Sequence, residues 1–129
     1  MKNLLFVLSI FVCINLQADD IKKMKAKDAY ELVQNRNLKK SVLIDGRSAQ
    51  MFSEKHIEGA VNINAFQENL EQKLKRYLRK KQIIVYCSNF RRTELIVEKL
   101  QEMNYKREIV FISDGINGWI ANGFETIIK

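Results

Sequence analysis

The chain has 129 residues, 47% of them hydrophobic and 29% charged, and 22 lysines and arginines against 15 aspartates and glutamates leave a net charge of +7. That length holds one ordinary domain, and the charge excludes both an acidic disordered chain and a multispan membrane protein. Five glycines, no proline and two cysteines exclude collagen-like and disulfide-stapled classes, so the fold must rest on a hydrophobic core.

The N-terminus differs from everything after it. Met1 and Lys2 make a short basic start, Leu4 to Leu16 is almost wholly apolar, and Gln17-Ala18-Asp19-Asp20 follow. A basic start, an apolar run too short for a comfortable span and a small residue before a polar turn form the pattern of a secretory signal peptide. Residues 1–18 are read as that signal, with cleavage after Ala18 and residues 19–129 as a periplasmic or secreted domain. An uncleaved anchor is the alternative. Cys13 as a lipid-attachment site is disfavoured by Val12, where a small residue is needed. Cys13 therefore leaves with the signal, and Cys87 is the one thiol of the exported form.

From residue 21 onward, short apolar runs alternate with amphipathic stretches. Asp28 and Glu31 have capping-box spacing, and Ala29, Leu32 and Val33 recur at helical intervals, which predicts a helix over 28–36. Ser41 to Asp45 is a brief apolar run ending at the turn-forming Asp45-Gly46, hence a buried strand. Ser48 starts a short helix to about Lys55, and Ala60 to Ile63 reads as a second strand. Phe66, Leu70, Leu74 and Leu78 stand four apart and predict an amphipathic helix over 65–81. Its lysines and arginines read as a solvated face, because no aromatic or glycine platform is interleaved with them to suggest nucleic acid. Ile83 to Tyr86 is the most strand-like run. Cys87 to Arg92 carry no apolar periodicity, Thr93 to Met103 form a helix, Glu108 to Ser113 a strand, and Gly115 to Gly123 a last helix bearing Trp119.

Strands alternating with helices predict an α/β fold with a mostly parallel central sheet flanked by helices on both faces. Reactive groups of such sheets lie beyond the carboxyl ends of the strands. Asp45, Cys87 and Asp114 all fall there. A cysteine between a buried strand and a helix start meets unpaired backbone N–H groups and the positive end of the helix dipole. With Arg91 and Arg92 close by, the thiolate is favoured, and the thiolate is the nucleophile. A tight loop around the sulfur can also point successive N–H groups inward as an anion-binding nest.

These segments together resemble a single-domain rhodanese, a sulfurtransferase, over essentially all of residues 19–129. Val42-Leu43-Ile44-Asp45-Gly46-Arg47 is similar to that family's strand followed by Asp-x-Arg. Phe52, then His56-Ile57-Glu58-Gly59-Ala60-Val61-Asn62-Ile63, resembles its second conserved stretch. Cys87 followed by Arg92-Thr93 is similar to an active loop of form Cys-x4-Arg-Ser/Thr, and Gly115, Trp119, Gly123 and Phe124 to its closing segment.

The resemblance implies a rhodanese-like fold and a two-step exchange in which Cys87 takes a sulfur from a donor such as thiosulfate or a polysulfide and passes it to cyanide or a thiol. Cys87 and Arg92 would be catalytic; Ser88, Asn89, Phe90 and Arg91 would form the substrate-binding loop. Asp45 and Arg47 would support the rim as an ion pair, and His56 would be structural. Asp114 stands where the family has glycine and adds negative charge near the site, disfavouring a dianionic donor. Phe90, a bulky ring in mid-loop, would make the mouth narrower or more apolar. No cofactor and no metal is called for. The expected partners are a small sulfur donor and acceptor, including a thiol protein as acceptor, with no nucleic acid and no stable membrane insertion once the signal is removed. Two other functions fit less well: a cysteine phosphatase of the same fold, whose loop has five residues between Cys and Arg, and a sulfur-carrier or partner-binding module without turnover.

Overall fold

A computed structural model describes residues 20–128; the segment read as a signal peptide, with Cys13, lies outside the described residues. Along the chain run β1 (Ile21–Met24), α1 (Ala26–Gln34), β2 (Ser41–Asp45), α2 (Ala49–Glu54), β3 (Val61–Asn62), α3 (Leu70–Lys75), β4 (Gln82–Tyr86), α4 (Arg91–Glu102), β5 (Glu108–Ile112) and α5 (Gly115–Ala121). The five strands form one parallel sheet in the order β1-β5-β4-β2-β3.

The middle strands alternate their side chains between two helical layers. Val42, Ile44, Ile83, Val85, Ile109 and Phe111 pack with Leu70 and Leu74 of α3 and with Ile96, Val97 and Leu100 of α4. Leu43, Ile84, Tyr86, Val110 and Ile112 pack with Ala26, Ala29 and Val33 of α1 and with Ile116 and Trp119 of α5. Helices thus cover both faces, and a strand buried on both faces reads as a continuous apolar run.

Four features depart from the sequence expectations. β1 was not foreseen, because its middle residues, Lys22 and Lys23, are exposed lysines of an edge strand. Only its parallel pairing with β5, from Ile21↔Ile109 to Met24↔Ile112, defines it. The first helix starts at Ala26, and no Asp28–Glu31 capping box forms: the N-cap position is Lys25, which supplies no side-chain cap.

The helix predicted over 65–81 shrinks to the six residues Leu70–Lys75. Asn64 Oδ1 accepts from the Phe66 N–H at 3.0 Å and Gln67 N donates to Asn64 O at 3.1 Å, a turn that competes with helix entry. Past Lys75, Tyr77 N donates to Leu74 O and Lys80 N to Tyr77 O, so the chain tightens into successive turns. Leu70 and Leu74 stay buried, whereas Phe66 is 58% exposed. Finally, α4 begins at Arg91, so both arginines of the predicted loop sit in its first turn.

Candidate active site

Cys87 follows directly on β4, the middle strand, and is 1% exposed. The chain turns through Ser88, Asn89 and Phe90 and enters α4 at Arg91. The backbone N–H of Thr93, in the first turn of that twelve-residue helix, donates to Cys87 Sγ at 3.4 Å. A helix N-terminus has N–H groups without intrahelical acceptors and a positive dipole end, so the sulfur lies where negative charge is favoured.

The outside of the loop is gripped by α5. Ile116 N donates to Cys87 O at 2.8 Å and Asn117 N to Ser88 O at 3.2 Å, while Asn117 Nδ2 donates to Asn89 Oδ1 at 2.9 Å. The first turn of α5 thereby satisfies its own free N–H groups with the loop's carbonyls. Gly115 makes the approach possible: its φ is 58°, and a Cβ there would run into the Cys87 and Ser88 carbonyl oxygens.

The neighbouring strand closes the other side, where Gly46 N donates to Tyr86 O at 2.8 Å. Asp45 and Arg47 form a buried ion pair around this glycine, with Arg47 Nη2 at 2.8 Å from Asp45 Oδ2 and Nε at 3.0 Å from Oδ1. The Arg47 backbone N–H adds a bond to Oδ1 at 2.9 Å, and Nη2 reaches Lys55 O at 2.6 Å. Burial opposes the Arg47 charge, but the hydrogen bonds and charge of Asp45 outweigh it and its pKa is raised. Burial first, and the nearby Asp45 carboxylate second, push the Tyr86 phenol far above its usual range. Its oxygen accepts from Ile57 N at 3.1 Å.

Arg92 lies with its guanidinium 4.8 Å over the ring of Phe66, and its Nε is buried without a hydrogen-bond partner. Phe66, expected in the core stripe of a helix, instead carries this arginine at the rim. Phe90 is 49% exposed on the loop and Arg91 is exposed.

Asp114 has a partner that the sequence did not indicate. It lies just past β5, and its carboxylate turns to the start of α1, where Oδ1 accepts from Ala26 N at 2.7 Å. Its carboxylate therefore serves as a cap at the start of α1. His56 is buried, pairs Nδ1 with Phe52 O at 2.8 Å, stacks on the Phe52 ring and exchanges backbone bonds with Ile127.

The structure thus gathers Cys87, Ser88, Asn89, Phe90, Arg91 and Arg92 in one loop and helix start, with Asp45 and Arg47 on the adjacent strand end. Thr93 belonged to the loop motif in the sequence but was given no role, and neither Phe66 nor the first turn of α5 was assigned to the site. Thr93 had a signal, its place directly after Arg92 at a helix start; Phe66 had none. Among the described residues no group of three or more His, Cys, Asp or Glu could hold a metal ion. A cavity of about 410 Å³ lined by Tyr30, Ile57, Trp119 and Phe124 opens elsewhere, and none of the loop residues lines it.

Solved structures share this fold. A rhodanese-related protein from Thermoplasma volcanium superposes with a TM-score of 0.67 at 25% identity, over 84% of this chain and 99% of that one. A thiosulfate sulfurtransferase from Pseudomonas aeruginosa gives 0.68 at 18% identity, over 84% of this chain and 20% of that one. A protein from Rhodopseudomonas palustris described as a possible tyrosine phosphatase gives 0.69 at 18% identity, over 83% of this chain and 85% of that one. The last two likenesses carry the fold alone. No curated protein matches the sequence. The sequence itself matches the rhodanese-like domain over residues 26–122, and with the sheet order and the Cys87 loop in place, the chain belongs to that family.

Proposed function

We propose that the domain is a sulfurtransferase working through a persulfide on Cys87. The observation that carries this reading is the placement of the sulfur, at the end of the central strand, at the N-terminus of α4 and in hydrogen-bond reach of the Thr93 N–H. In the first step the Cys87 thiolate attacks the outer sulfur of the donor. An S–S bond to Cys87 forms, the donor's own S–S bond breaks, and sulfite or a thiolate leaves with the electron pair. In the second, cyanide or a thiolate attacks the outer sulfur of the persulfide and Cys87 leaves as thiolate; with cyanide the product is thiocyanate. The terminal persulfide sulfur is anionic, and the start of α4 suits an anion. Four residues separate Cys87 from Arg92, which favours sulfur over the larger phosphate group.

The leader at residues 1–18 supports export of residues 19–129 to a periplasmic or secreted location, with small sulfur compounds and a thiol protein as partners. The N-terminal residue of the exported protein is expected near Asp19.

Incubation of the exported form with thiosulfate or polysulfide, followed by intact mass, tests the chemistry. Gain of one sulfur that disappears in Cys87→Ser supports it; no gain, or a gain that survives the substitution, defeats it. Thiocyanate formation with cyanide separates an enzyme from a carrier that loads without turning over.

A further inference from the structure

A basic pair precedes each long inner strand: Lys39-Lys40 before β2, Lys80-Lys81 before β4 and Lys106-Arg107 before β5. Because these strands are parallel, the three pairs stand side by side on the edge of the sheet opposite Cys87. Backbone bonds knit them together, Lys81 N donating to Lys40 O at 2.8 Å and Glu108 N to Lys81 O at 3.3 Å. The Lys80 ammonium donates to Lys39 O at 2.8 Å, which keeps its charge at this edge. Of the acidic groups at this end, Glu108 is paired with Lys22 at 3.3 Å and Glu102, which closes α4, with Lys99 at 3.1 Å.

Two further observations say what such an edge meets. Leu38, next to Lys39, is 72% exposed among the cations. The chain also enters the domain here, beside the three basic pairs: Asp20 O accepts from Ile109 N at 3.0 Å. Lysines around an exposed leucine match a bilayer surface, where headgroup phosphates take the cations and the acyl boundary takes the apolar side chain. A nucleic acid would use the cations but leave Leu38 without a complementary contact.

We propose that this edge docks on an anionic phospholipid surface. The contact is peripheral, made by the lysines and Leu38 at the surface of the domain. It holds Cys87 away from the lipid, roughly 17 Å further along β4 at about 3.3 Å per residue, with the loop facing the aqueous phase. The proposal is independent of the sulfur chemistry.

Sedimentation of the chain from Asp19 onward, whose described residues contain both cores, with vesicles tests it. Vesicles containing phosphatidylglycerol are expected to bind and pure phosphatidylcholine vesicles not, with binding weakening as salt rises. Lys39→Gln, Lys40→Gln and Lys81→Gln combined should lower affinity on the order of a hundredfold without altering the melting temperature by more than a few degrees. Leu38→Trp should report insertion by a blue shift of its emission on the anionic vesicles. Equal binding to both vesicle types, unchanged affinity in the triple variant, no blue shift, or salt-dependent binding to single-stranded RNA in place of vesicles would each overturn the proposal.

Discussion

The carboxylate of Asp114 accepts a 2.7 Å hydrogen bond from the backbone N–H of Ala26, 88 residues earlier in the chain. One side chain thereby caps α1 and anchors the turn from which α5 reaches the Cys87 loop. Asp114→Ala is expected to destabilise the domain by about 1–2 kcal/mol, the range for losing a helix cap with its charge. Asp114→Asn should keep most of the stability and leave the ratio of thiosulfate to neutral-donor loading unchanged. Urea melts and loading rates check both; a changed ratio would mean that the carboxylate acts on the donor.

Gly115→Ala places a methyl group against the Cys87 and Ser88 carbonyls at a positive φ. The loop must move or the turn must strain, so a loss of about 2 kcal/mol or more and at least a tenfold slower sulfur loading are expected. Gly123→Ala is the control: it too has a positive φ, but a Cβ there meets nothing within 4 Å. It should lose stability without losing loading.

Removing one partner of the Asp45–Arg47 pair leaves the other charge buried, since these residues are 0% and 4% exposed. Arg47→Met should cost about 3–5 kcal/mol. Adding Asp45→Asn to it should recover part of that loss, because no uncompensated charge remains. A double variant no more stable than Arg47→Met alone would contradict this account of the corner.

Burial pushes the Tyr105 phenol up to about 12 and Tyr86 further. An unfolded tyrosine ionises at about 10, so the folded chain holds these protons more tightly than the unfolded one. That contribution is complete below pH 10 and drains away as pH rises toward the folded pKa, because the unfolded chain releases its protons first. Denaturant midpoints from pH 9 to 11 should fall. Tyr105→Phe, which loses the 2.7 Å bond to Lys80 O, should start about 1 kcal/mol lower at pH 7 and fall less steeply above pH 10. Parallel slopes would remove Tyr105 from the explanation.

Phe66→Ala withdraws the ring beneath the Arg92 guanidinium. An exposed cation–π contact is worth about 0.5–1 kcal/mol, so thiosulfate loading should slow two- to fivefold while stability barely changes. Phe66→Tyr should restore the rate, and a null effect of Phe66→Ala would show that Arg92 does not need the ring.

β2, β4 and β5 were legible because strands covered on both faces are written as unbroken apolar runs, and the loop was legible because Cys87 interrupts such a run just before a helical pattern begins. The edge strand β1 was not, since its lysines face water and its only definition is a ladder to residues 109–112. The length of α3 was not either: the spacing from Phe66 to Leu78 is helical, but the Asn64 side chain ties up the Phe66 N–H and delays the helix to Leu70.

Local order along the chain thus determined the fold class, the family resemblance and the position of the nucleophile between a buried strand and a helix start, because periodicity and strand-end chemistry act over a few residues. Tertiary structure alone decided what surrounds that nucleophile. The grip of Ile116 and Asn117 on the loop, the reach of the Asp114 carboxylate to α1, the seat of Arg92 on Phe66 and the gathering of three basic pairs on one edge all join residues far apart in sequence. Such contacts exist only once the parallel sheet has brought the ends of its strands together.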